Sequence, residues 1–191
     1  MRQKIKRFGS ARGAEPDKVN LIMPAQKISI DNAKPEKLFY FVANVLVYRE
    51  SDGRCLLLKR DPREKVHPGK WATPGGKLEW KDLPLERPTR LNGEVIDFEN
   101  AVEDLLVRET REEAGIEIDP DLKYINSVAF VRPDETPVML VKFAAKYRSG
   151  EVKPEVGGFT DFAWVNVAEV AAYDCIDGIK DEVAKAVTLF S

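Results

Sequence analysis

A chain of 191 residues is long enough for one domain of ordinary size with a sizeable core. Its 43% hydrophobic and 32% charged composition reads as globular, and a formal net charge of −2 gives no pull toward nucleic acid or a membrane surface. No apolar run approaches the ~18 residues of a membrane span, and no apolar signal core follows the basic N-terminus, so the expected location is cytoplasmic.

Residues 1–37 stand apart. Arg2, Lys4, Lys6, Arg7, Arg12 and Lys18 outweigh Glu15 and Asp17, and periodicity is weak. The segment reads as an arm or an edge element packed on the main domain, which is expected over 38–191. The sharper alternative is a basic arm that touches a nucleic acid or a partner subunit. Residues 39–48 then form an apolar, aromatic and β-branched run, which predicts a buried strand. Asp52-Gly53 is a turn signal, and 55–58 make the return strand. A polar stretch over 59–70 reads as a loop. Residues 71–79 predict a short strand interrupted by a tight turn at Gly75-Gly76.

An irregular excursion follows over 81–92. Asp97 is the expected N-cap of a helix over 98–114, with Phe98, Val102, Leu105 and Leu106 as its apolar stripe and Gly115 at its end. Two strands are predicted over 125–132 and 138–147, joined by a turn at Pro133-Asp134-Glu135-Thr136-Pro137. A loop over 149–158 leads to a strand through 162–165, and short helices are expected near 167–172 and 178–189. This order argues an α/β sandwich. Cys55 and Cys175 form no CxxC pair and read as buried thiols. The single histidine, His67, excludes a multi-His metal site within one chain.

The helix over 98–114 carries the chemistry. Glu109 lies three residues before Glu112 and four before Glu113, so the three carboxylates share one face. Like charges at that spacing repel, and a hard divalent cation would offset this, since Mg²⁺ takes oxygen ligands. Arg108 lies four before Glu112 and suits an ion pair. An ordinary solvated face rich in Arg and Glu would read the same way. The turn at Pro74-Gly75-Gly76 upstream, able to aim a carbonyl at a metal, tips the reading toward a cation site.

With these residues the chain resembles the Nudix hydrolases. Their box runs Gly, five residues, Glu, seven residues, Arg-Glu, two residues, Glu-Glu, one residue, Gly, apolar. This chain supplies Gly76, Arg108-Glu109, Glu112-Glu113, Gly115 and Ile116, with the Trp71-to-Glu79 run before the box and the Phe162-Ala163-Trp164-Val165 strand near the end. Two departures stand out. An insertion over 80–97 splits the box, so its first Glu falls on Asp82 counting forward and on Asn100 counting back. Glu99, beside Asn100, is assigned as the partner that steadies Arg108. Thr110 stands where an apolar residue is usual.

The resemblance implies a Nudix-type α/β/α sandwich with a mixed β-sheet. It implies that Glu109, Glu112 and Glu113, with the Gly75 carbonyl, bind Mg²⁺ or Mn²⁺, and that water then attacks a diphosphate linkage. A box glutamate or Glu155 is the candidate general base. Lys59, Arg60 and Lys77 are candidate partners of substrate phosphates. Trp71, Trp164, Phe130, Tyr124 and Phe159 read either as core or as walls that stack a base. A small-molecule nucleotide is the expected partner: a nucleoside triphosphate first, then ADP-ribose or a nucleotide sugar. A non-catalytic nucleotide-sensing domain is the alternative of another class, an RNA-processing enzyme a third, and a homodimer is an open possibility.

Overall fold

The computed structural model describes residues 24–191, so the expected arm is outside the described residues as far as position 23. A 3₁₀ turn at Pro35–Lys37 leads into β1 (Tyr40–Arg49), β2 (Arg54–Arg60), β3 (Trp71–Ala72) and β4 (Gly75–Lys77). After a 3₁₀ turn at Trp80–Asp82 come β5 (Arg90–Asn92), β6 (Val95–Asp97), α1 (Ala101–Ala114) and β7 (Ile116–Ile118). The chain closes with β8 (Lys123–Val131), β9 (Pro137–Gly150), β10 (Phe159–Val165), a 3₁₀ turn at Glu169–Ala172 and α2 (Ile179–Phe190).

From Ala43 to Tyr48 β1 is apolar apart from Asn44, because this stretch is covered on both faces. Its odd positions Ala43, Val45 and Val47 pack with Leu105 and Leu106 of α1. Its even positions Leu46 and Tyr48 pack with Ile179, Val183 and Ala186 of α2. β2 repeats the pattern, with Leu56 and Leu58 toward α1 and Cys55 and Leu57 toward α2. The result is the expected α/β/α sandwich with a mixed sheet, in the order β10-β2-β1-β9-β7. β1 and β9 run parallel, from Tyr40 opposite Val138 to Tyr48 opposite Lys146. β4 pairs the first half of β1 and β2 pairs its last residues, so the sheet opens between them. A cavity lined by Val42, Asn44, Gly75 and Gly76 lies at that opening.

Both cysteines are buried free thiols, and burial pushes the Cys55 thiol up to about 12. No helix among the described residues is long and apolar enough to cross a membrane.

The excursion over 81–92 is more regular than the sequence suggested. β5 and β6 form an antiparallel hairpin in which Asn92 faces Val95, and Gly93 takes φ +62 at the first of two loop positions. That is the geometry a II′ turn asks of glycine. Asp97 is therefore not a helix cap. It ends β6 and accepts from Arg90 at 2.9 and 3.0 Å. The helix starts at Ala101, behind an Asn100 in the left-handed conformation, which asparagine tolerates better than most residues. Its other end is as expected: Gly115 takes φ +72 and donates to the Arg111 carbonyl. β7, too short to show a period, and the extension of β9 to Gly150 were not apparent from the pattern.

Candidate active site

One cavity of about 540 Å³ is bounded by Gly75 and Gly76 of β4, by Arg108, Glu109 and Glu113 of α1, and by Arg60 and Lys77. Volumes of this order suit a small ligand. The turn and the helix fit closely. The Gly75 amide donates to Glu113 Oε2 at 2.9 Å. A Cβ on Gly76 would stand 2.4 Å from Glu109 Cδ, and one on Gly75 would stand 2.3 Å from the Ala43 carbonyl oxygen. Both glycines are therefore set by close approach rather than by turn dihedrals. Gly75, expected to face a metal through its carbonyl, engages the helix through its N–H.

Burial pushes the Glu113 carboxyl up to about 8; the Gly75 hydrogen bond opposes this, and the charges of Glu109 and Glu155 add to it. Burial also raises Glu109, against the pull of the adjacent Arg108. Glu112 is more exposed, its side chain 55% accessible, and meets at 3.3 Å the same Arg108 nitrogen that Glu109 meets. The Arg108 guanidinium also reaches Glu109 at 2.9 Å and Asp82 at 3.3 Å. Glu99, assigned to Arg108 from the sequence, pairs instead with Arg90 at 2.8 Å. Asp82 holds the arginine because the hairpin absorbs the inserted residues downstream of it.

Three other expected residues resolve differently. Arg60 lines the cavity, braced by Glu64 at 2.8 Å and by the Val66 carbonyl at 2.8 Å. Lys59 alternates to the other face of β2, 5.9 Å from the Trp71 ring centroid, and does not line the cavity. Glu155 is exposed and outside the lining, although its backbone N–H donates to the Glu113 carbonyl at 2.9 Å. Trp71 packs edge-on to Tyr173 and Trp164 carries Arg49 over its ring, so both belong to packing. Tyr124 is exposed beside Phe143, whereas Phe130 and Phe159 do line the cavity.

The sequence reading missed Asn44, Thr73, His67 and Lys142, all of which line the cavity. Lys142 carried a signal: it is a lysine inside the apolar run from Val138 to Ala145. A lysine there has to be buried and therefore paired.

Among the described residues no three His, Cys, Asp or Glu side chains form a ready metal cluster. The donor set still fits a hard cation. Mg²⁺ is usually held by one or two carboxylates, with water and substrate phosphates completing its shell. Glu109 and Glu113 supply two oxygen donors whose raised proton affinities reflect burial first and neighbouring carboxylates second, Glu112 and Asp82 for Glu109, Glu109 and Glu155 for Glu113.

A NUDIX domain family model matches residues 40–186. Among solved structures, the fold is similar to the MutT protein from Methanosarcina mazei Go1, with 20% sequence identity and a TM-score of 0.56, covering 83% of this chain and 99% of that one. It is similar to the NUDIX domain of Shewanella oneidensis NrtR, complexed with ADP ribose, with 15% identity and a TM-score of 0.59 over 84% of this chain and 95% of that one. A C. elegans Ap4A hydrolase binary complex gives 16% identity and a TM-score of 0.53, over 79% and 97%. No curated protein matches the chain significantly.

Proposed function

Because this chain belongs to the Nudix hydrolase family, we propose that it hydrolyses a diphosphate linkage in a nucleoside triphosphate, with Mg²⁺ or Mn²⁺ held by Glu109 and Glu113. The observation that carries this reading is the pair of partly buried carboxylates seated on the Gly75-Gly76 turn inside the cavity. A bound divalent cation supplies charge neutralisation at the phosphates and a lowered pKa for attacking water.

The chain's own residues do the rest. Lys77 and the braced Arg60 line the cavity and supply positive charge for the phosphates. Arg108, tied to Asp82, holds Glu109 in place and offsets part of its charge. Glu113 Oε2 is fixed by the Gly75 amide, while Oε1 has no hydrogen-bond partner among the described residues. Glu112, which shares the Arg108 guanidinium with Glu109, and Glu155, whose charge reaches Glu113, are the candidates to take the proton of the attacking water. ADP-ribose or a nucleotide sugar is the second substrate class. The NrtR domain bound ADP ribose in a fold of this kind.

The test is phosphate or nucleotide release from a panel of nucleoside triphosphates, ADP-ribose and nucleotide sugars in the presence of Mg²⁺, with products identified. Glu113→Gln is expected to cut kcat by about 10²-fold, equivalent to about 3 kcal/mol of transition-state stabilisation. Tight binding of the panel without turnover by the wild-type protein would point to nucleotide sensing instead. Wild-type turnover in the variant would remove the cation assignment.

A further inference from the structure

The cavity has a second end, away from the carboxylates. Its wall there is apolar, with Leu140, Ile176, Ile179 and Phe130, and it contains one cationic side chain, Lys142. Lys142 follows from the register. It sits opposite Asn44 in the parallel β1–β9 pair, on the face of the sheet that α2 covers. The residue is only 7% exposed. Its Nζ donates to Glu182 of α2, itself 2% exposed, at 2.5 Å. Gly178 gives the pair room: a Cβ there would stand 2.9 Å from Glu182 Oε1.

A buried ion pair is a poor device for stability alone, since apolar residues of similar volume usually do as well or better. This pair is also incompletely satisfied. Glu182 Oε2 is buried without a partner, and among the described residues Glu182 is the one group that Lys142 Nζ bonds. An amino group of this type has three hydrogens to donate and nothing to accept with. Glu182 takes one. The Lys142 side chain borders the cavity, where low-dielectric walls strengthen any hydrogen bond it makes to a ligand.

We propose that Lys142 reads the nucleobase, donating to an oxo group on the ring, and that Glu182 is the positioning residue that holds its Nζ at the cavity wall. The inference rests on the reading of this site as one that takes a nucleotide. It selects a chemical class. Guanine and hypoxanthine present O6 beside N7, two acceptors together, and uracil presents O4. Adenine and cytosine put an amino donor at the corresponding position, which a donor-only group cannot pair. The phosphates would then lie toward Lys77 and Glu109, and the ring among Leu140, Ile176 and Ile179.

Binding, measured by calorimetry with Mg²⁺ and nucleoside 5′-diphosphates, tests this without relying on turnover. The wild-type protein is expected to bind GDP and IDP at least roughly tenfold tighter than ADP, the scale of one discriminating base contact. It should lose a similar factor on 2-aminopurine riboside diphosphate, which keeps N7 and the 2-amino group of GDP but lacks the 6-oxo group and, with it, the N1 proton. The double variant Lys142→Met/Glu182→Leu removes both charges together and should bind GDP and ADP alike. Equal wild-type affinity for GDP and the 2-aminopurine analogue overturns the proposal, and this comparison needs no variant to fold. A folded double variant that keeps the GDP preference overturns it too. Loss of catalysis in Glu113→Gln bears on the hydrolase reading alone, because the base preference in binding is expected to survive that change.

Discussion

Glu113 is a carboxyl under strain in the physical sense. Its folded pKa of about 8 lies above its ordinary value of 4.5, so the folded chain binds its proton more tightly than the unfolded chain does. Below about pH 4.5 both states are protonated and the favourable contribution is fully present. As pH rises from 4.5 through 8, that contribution is lost. Glu113→Gln should therefore be more stable than the metal-free wild type at pH 9, by a margin on the order of a few kcal/mol, and the margin should shrink toward pH 5. Urea unfolding with chelator present, at both pH values, measures it. A margin independent of pH would exclude the raised pKa itself. Thr110 presents a simpler case. It is fully buried on α1 and its Oγ1 has no partner. Valine has the same shape and similar helix propensity, so Thr110→Val should stabilise the fold by about 1 kcal/mol. An unchanged or lowered unfolding midpoint would contradict that.

Among the elements, the hairpin of β5 and β6 matters most, because it decides which acid supports Arg108. Its turn was legible: Gly93-Glu94 is a Gly-X pair of the II′ kind between strand residues Leu91-Asn92 and Val95-Ile96. The prolines and charges around it mask that signal, and without the hairpin Asp97 reads as a helix cap; Glu99 follows from the box spacing counted back from Arg108. Once β5 pairs β6, Arg90 is drawn to Asp97 and Glu99, and the acid outside α1 that meets Arg108 is Asp82. Asp82→Ala removes a partly exposed ion pair and the hydrogen bond that Asp82 accepts from the Glu79 N–H at 2.8 Å, so stability should fall by about 1 kcal/mol. Catalysis should suffer more, since Arg108 also contacts Glu109 and Glu112. A fall in kcat/KM of about tenfold, equivalent to about 1.4 kcal/mol of barrier, is expected. Glu99→Ala should leave kcat/KM nearly unchanged. Finding the two variants reversed would return the supporting role to Glu99.

For the molecule as a whole, α1 was legible because its carboxylate spacing and glycine stop are local patterns. The cavity was not. It depends on β1 pairing in parallel with β9, a contact between Asn44 and Lys142 that no local pattern announces, and on α2 covering that face. The same architecture separates two charged systems: Glu109 and Glu113 with Arg108 near one helix, Lys142 with Glu182 near the other. The second is balanced within the protein. The first is not: burial raises the Glu113 carboxyl, the charges of Glu109 and Glu155 add to this, and Arg60 offsets only part of it. A divalent ion should therefore stabilise the whole fold, and do so in a pH-dependent way, because Glu113 must release its proton to accept it. At free Mg²⁺ a hundredfold above its dissociation constant the gain is about 2.7 kcal/mol. The Mg²⁺-induced rise in Tm should thus be large at pH 9 and small at pH 6, and much reduced in Glu113→Gln at both. Calorimetric scans with MgCl₂ and with chelator measure it. An equal rise at both pH values, or one undiminished in the variant, would place the cation elsewhere on the molecule.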